Sequence, residues 1–213
     1  MDITQRLGIC AVALVTGGAF IAAPAAAQSV PLFPAQVSQT NIDCLFGVQC
    51  AITPRDEFVE IPLPAISGSV ILHSRTFLGP AESRAPGRHA YQYRLDLTGA
   101  TTLADSSCII NVSINFGPVA KLPYAPGVTL RDVYEVVQGA PANQIGFTRA
   151  EQTGTVVTFI FDQPVCAGDG VTPGKSSFFF GLASLDAPAR GAHAKVDIFG
   201  LEDIPVDAFG PRR

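Results

Sequence analysis

Cys108-Ile109-Ile110-Asn111-Val112-Ser113-Ile114-Asn115-Phe116 decides the fold class. Successive side chains of a strand point to opposite faces, so Cys108, Ile110, Val112, Ile114 and Phe116 fall on one side while Asn111, Ser113 and Asn115 fall on the other. Tyr91 to Thr98 repeats the pattern, with Tyr91, Tyr93, Leu95 and Leu97 opposing Gln92, Arg94, Asp96 and Thr98. One dry face and one wet face mark an antiparallel sheet covered on one side.

Working outward, the same logic reads strands at Glu57 to Leu63, Ser69 to Leu78, Thr129 to Val137, Gln144 to Thr148, Thr155 to Asp162, Ser177 to Leu185 and Ala192 to Phe199, about nine in all. Gly79-Pro80, Gly117-Pro118, Pro126-Gly127, Gly139 and Pro173-Gly174 punctuate the gaps. No stretch carries a helical stripe. The best helix candidate, Leu130 to Gln138, has Asp132 as an N-cap, but Val133, Val136 and Val137 favour a strand. Many short strands without alternating helices predict an all-β, antiparallel two-layer β-sandwich, with a β-barrel or jelly-roll-like closure as the alternative. Consecutive Phe178, Phe179 and Phe180 suit a strand buried on both faces and favour the sandwich. The chain has no Trp, so the tryptophan-on-disulfide core of an immunoglobulin domain is excluded.

The N-terminus adds a compartment. Arg6, the apolar run Leu7 to Ile21 and Ala25-Ala26-Ala27 read as a secretory signal peptide over residues 1–27, with the mature chain starting at Gln28. Pro24, the small residues from Ala22 onward and the lack of a following charge cluster favour cleavage over a retained span. Removing the first 27 of 213 residues leaves 186, enough for one domain with a sizeable core. Pro31 and Pro34 mark residues 28–43 as an extended N-terminal segment, and 44–213 form the sandwich. A secreted or periplasmic location makes disulfides the default for Cys44, Cys50, Cys108 and Cys166. Cys44 and Cys50 enclose a short loop containing Gly47. Cys108 opens one strand and Cys166 follows another, so the predicted pairs are Cys44–Cys50 and Cys108–Cys166. The second pair closes the longer loop and stabilises by about 4 kcal/mol in the chain-entropy model.

Function is far less legible. A net charge of −4 offers no broad attraction to nucleic acid or to anionic membrane. His73, His89 and His193 are dispersed, which argues against zinc, and nothing calls for a cofactor. Asp162 and Asp169 flank the turn Cys166-Ala167-Gly168-Asp169-Gly170, the loop best suited to calcium, but the EF-hand pattern is absent and a solvated turn is the favoured reading. No Gly-x-Ser-x-Gly occurs, leaving Ser69 and Ser176-Ser177 as the nearest stand-ins for a nucleophile, and no paired carboxylates have a recognisable context. The expectation is therefore no catalysis, with a cryptic hydrolase as a remote alternative. Asn111-Val112-Ser113 matches a glycosylation acceptor but lies in a strand.

One local bias stands out: His73, Arg75, Arg84, Arg88, His89 and Arg94 face only Glu82 in the same segment. Arg84, Arg88 and His89 are the candidate ligand-binding residues, unless Glu202, Asp203 and Asp207 neutralise the segment. The leading expectation is a non-catalytic domain binding a partner protein, glycan or envelope component through the loops Gly79 to Arg88 and Ala167 to Lys175. A structural subunit adding its N-terminal strand to a neighbour's sheet is the second.

Overall fold

The computed structural model describes residues 27–102, 108–141, 144–198 and 203–212. The hydrophobic run of the signal segment lies outside the described residues. The strands are β1 (Ser29–Leu32), β2 (Pro34–Ser38), β3 (Arg55–Glu60), β4 (Ile66–Gly68), β5 (Ile71–Leu78), β6 (His89–Asp96), β7 (Ala100–Thr102) and β8 (Cys108–Asn115). They continue as β9 (Val133–Gln138), β10 (Gln144–Ile145), β11 (Phe147–Thr153), β12 (Val156–Cys166), β13 (Ser176–Ser177), β14 (Phe179–Ser184), β15 (Pro188–Ile198) and β16 (Ile204–Pro211). A helix, α1 (Gln39–Phe46), follows β2.

Sheet I runs β1-β11-β12-β8-β15-β16. Sheet II runs β3-β5-β6-β14-β9-β2, with β13 extending β14 along β6 and β10 pairing β13. Both sheets keep separate edges, so the closure is that of a sandwich and not a barrel. Between them lies one apolar core, in which Phe180 meets Phe159 and Phe161 at ring-centroid distances of 4.7 and 5.8 Å. Each such aromatic side chain withdrawn from water contributes on the order of 2–3 kcal/mol.

The alternation in β6 is realised on its apolar side: Tyr91, Tyr93, Leu95 and Leu97 are fully buried in the inter-sheet core. In β8 it slips by one residue. Ile109, Val112, Ile114 and Phe116 are buried while Ile110 is half-exposed, because a bulge interrupts the pairing with both neighbours. The segment Leu130 to Gln138 is strand from Val133 onward.

The opposite face of β6 is not uniformly wet. Gln92 is fully buried, because a third layer covers part of the outer face of sheet II. This layer comprises α1 and the loops over 79–88 and 117–132, whose Ile42, Leu45, Phe46, Ala85 and Tyr124 pack on Phe77, Ala90, Tyr134 and Ala183. The helix falls within and just beyond the segment predicted to be extended. Its start is fixed by a capping box, with the Asn41 N–H donating to Ser38 Oγ at 3.1 Å and the Ser38 N–H donating to Asn41 Oδ1 at 3.0 Å.

Before the helix, β1 pairs antiparallel with β11 in sheet I and β2 pairs parallel with β9 in sheet II. At the crossover the Phe33 N–H donates to the buried Asp132 carboxylate at 3.0 Å, and the Phe33 carbonyl accepts from the Asp132 N–H at 3.0 Å. The N-terminal strand thus completes its own chain's sheet.

Both disulfides pair as expected from the short loop and the two strand ends that carry them. Cys108 and Cys166 stand opposite each other in the β8–β12 ladder. Cys44 in α1 joins Cys50 across a tight turn in which Gln49 and Cys50 adopt φ of 54° and 61°. Left-handed backbone at such residues costs about 1 kcal/mol each, which the Val48–Ala51 bridge and the covalent link offset.

Candidate functional site

The third layer covers only part of sheet II. Where it stops, the alternation of four strands brings a distinct group of side chains to the outer face. Asp56 and Phe58 come from β3, His73 and Arg75 from β5, Arg94 from β6 and Phe179 from β14. The register sets Asp56 opposite Arg75, Phe58 opposite His73, and His73 opposite Arg94.

Two side chains converge on Asp56. The His73 Nε2 lies 2.6 Å and the Arg75 Nε 2.8 Å from Asp56 Oδ1. Although burial opposes it, these two partners hold the Asp56 carboxyl below its ordinary value. Burial is also the main influence on His73, whose imidazole it lowers despite the carboxylate beside it. At neutral pH His73 is therefore uncharged, with its Nε2–H donating to Asp56 and its ring orientation fixed.

Aromatic rings build the rest. Phe58, 66% exposed, stacks on the His73 ring with centroids 4.1 Å apart and planes 23° apart. Phe179 meets the other side of His73 edge-on at 5.2 Å. The guanidiniums of Arg75 and Arg94 both lie over the Phe179 ring, at 5.0 and 5.7 Å. Arg94 also reaches Asp96 at 3.4 Å and donates to Ser176 Oγ at 3.3 Å. Along the covered margin Gln92 donates to Gln39 Oε1 at 3.4 Å, while Gln92 Oε1 and Arg94 Nε are buried with no hydrogen-bond partner among the described residues. The result is a row of aromatic rings flanked by two arginines on a broad sheet face.

The predicted site residues are spread elsewhere. Arg84 is exposed in the loop after β5, Arg88 is half-buried near its end, and His89 opens β6. His89 lines a cleft with Arg55 and Arg212, whereas Arg84 and Arg88 are not among its lining residues. The loop itself is tied down: the Gly79 N–H donates to the Arg88 carbonyl at 2.9 Å, the Gly87 N–H to the Gly79 carbonyl at 2.8 Å, and Ala85 is buried. Within the same charge-biased segment, His73, Arg75 and Arg94 come together with Asp56 and Asp96 as their ion-pair partners, and among the described residues neither Asp203 nor Asp207 pairs with them. Glu202 lies outside the described residues.

Asp169 serves its turn. Its Oδ1 accepts the N–H groups of Val171 and Thr172 at 2.8 and 2.6 Å, bonds that hold the carboxyl below its ordinary value. Asp162 lies within β12, and among the described residues no three His, Cys, Asp or Glu side chains gather to hold a metal. Asn111 donates to Asp197 Oδ2 at 2.7 Å in β8. Ser176 is held by Arg94 and Gln144, and among the described residues no serine hydroxyl bonds a histidine. No family model, curated protein or solved structure matches the chain.

Asp56, Phe58 and Phe179 escaped the sequence reading. The alternation of β3 and β5 places each on a face, but the register that seats Asp56 beside His73 spans a seventeen-residue separation and leaves no local signal.

Proposed function

We propose that this chain is an exported, non-catalytic binding domain that recognises a partner protein through the outward face of β3, β5, β6 and β14. The observation that carries this reading is the layering of His73, Arg75 and Arg94 around Phe58 and Phe179, on the part of sheet II that the third layer leaves bare. Arginine and aromatic side chains are the residues that dominate protein interfaces energetically. Here they are held in place by the Asp56 carboxylate and by stacking, so little conformational entropy is lost on binding. Two disulfides fit an oxidising compartment, and among the described residues no helix is long and apolar enough to cross a membrane. A hydrolase receives less support: His73 has an orienting carboxylate, but among the described residues no nucleophile bonds its ring.

The test compares the oxidised chain from Gln28 with its Phe58→Ser and Arg94→Gln variants, immobilised and offered the envelope and secreted proteins of its own cell. The reading expects a partner whose affinity falls about tenfold or more in each variant. A partner retained equally by both variants contradicts it. Binding instead to a glycan array, lost in the same variants, reassigns the face to saccharides.

A further inference from the structure

Arg55 and Asp56 are neighbours in β3 and point to opposite sides of sheet II. Asp56 joins the outer face described above. Arg55 turns toward the other sheet, where its guanidinium lies 5.4 Å from the centre of the Phe209 ring. There the two sheets part at one end of the sandwich and leave a cleft of about 360 Å³, in the size range of small-ligand sites. It is a separate place from the aromatic face, and its residues take no part in that reading.

The chemistry of the lining is one-sided. Arg55 and Arg212 supply two guanidiniums, and among the described residues neither forms an ion pair. No Asp or Glu is among the lining residues. Leu78 and Pro188 form apolar walls, with Leu78 51% exposed. His89 completes the lining, and burial holds its imidazole below the ordinary value, so at neutral pH it offers hydrogen bonding without charge. Stacking on Phe209 fixes Arg55, and the Arg212 backbone is fixed by its N–H donating to the Ala187 carbonyl at 2.7 Å. One guanidinium placed by stacking and a second carried on an anchored backbone, beside an apolar wall, match a planar anion with a greasy neighbour.

We infer that this cleft binds a carboxylate carried on a small apolar group, with Arg55 and Arg212 holding the anion and Leu78 and Pro188 covering the body. The shared chemistry fits either the carboxyl terminus of a peptide or a short fatty acid, and the experiment separates them.

The oxidised chain from Gln28 is titrated with N-acetyl-leucine, N-acetyl-leucinamide and hexanoate, followed by backbone amide shifts. The inference expects saturable shifts around Leu78, His89 and the Ala187-Ala189 backbone with N-acetyl-leucine, and at least tenfold weaker binding of the amide, since charge-assisted hydrogen bonds are lost. Arg212→Gln, with its backbone bond retained, weakens the acid about tenfold and leaves the amide unchanged. Hexanoate binding as well as N-acetyl-leucine identifies an apolar acid as the ligand, and much weaker hexanoate identifies a peptide terminus. Equal binding of acid and amide, an acid affinity indifferent to both Arg212→Gln and Arg55→Gln, or shifts confined to another surface overturns the assignment.

Discussion

The Tyr93 hydroxyl donates to the main-chain carbonyl of Phe209 at 2.7 Å, joining the centre of one sheet to the edge strand of the other. The Phe209 N–H is satisfied from the same sheet, donating to Ser74 Oγ at 3.2 Å. Both groups of one buried residue are thus paired by side chains across the sandwich. Tyr93→Phe leaves the Phe209 carbonyl unpaired in the core and is expected to cost about 1–3 kcal/mol, read from the urea midpoint at unchanged slope.

The two disulfides differ in what they close. Replacing Cys108 and Cys166 together opens a link of sequence separation 58 and is expected to cost about 4 kcal/mol. Replacing Cys44 and Cys50 opens a link of separation 6 and costs about 2 kcal/mol in the same terms. Urea unfolding of the two double variants checks the order.

Glu135 gives the fold a pH dependence of predictable sign. Burial pushes its carboxyl up to about 7, from an ordinary value of 4.5, even though it accepts the Phe147 N–H at 2.8 Å. The folded state therefore binds a proton that the unfolded state has released, and stability falls as pH rises from about 4.5 to about 7. The loss from this group is on the order of 1–3 kcal/mol. Glu135→Gln, which keeps an acceptor for Phe147, flattens that window when unfolding is measured from pH 4.5 to 8. Asp56 contributes with the opposite sign, in the acid range below 3.8.

Gly181 has no room for a side chain. A Cβ there meets the Tyr91 carbonyl at 2.4 Å and the Tyr134 hydroxyl at 2.7 Å, so the Tyr134 ring lies directly across β14. Gly181→Ala is expected to destabilise by about 1–3 kcal/mol through displacement of that ring, measurable as a lowered Tm.

How much was legible follows from which interactions are local. Tyr91, Tyr93, Leu95 and Leu97 announce the inner face of sheet II because a two-residue period is a property of the strand itself. Gln92 does not announce its burial, since the cover comes from α1 and Tyr134, distant in sequence. The helix carried a readable signal in Ser38 and Asn41 at capping spacing, followed by Ile42, Leu45 and Phe46 on one side, but it is too short for a strong periodicity. Strand β16 hid behind Pro205, Gly210 and Pro211, residues that an edge strand tolerates. The charge bias from His73 to Arg94 takes in the loop arginines Arg84 and Arg88 together with His73, Arg75 and Arg94, and a charge count cannot say which of them the fold gathers on one face. Only the register of β3 on β5 supplies Asp56 and Phe58.

The most direct test of the aromatic face is site-specific photo-crosslinking in the living cell that makes this chain. A photoreactive phenylalanine analogue replaces Phe58 on the outer face of sheet II, or Thr158 on the outer face of sheet I as the comparison. The account predicts a discrete adduct from position 58 that disappears when Arg94→Gln is added, and none from position 158. Adducts equal from both positions, or from neither, would contradict it.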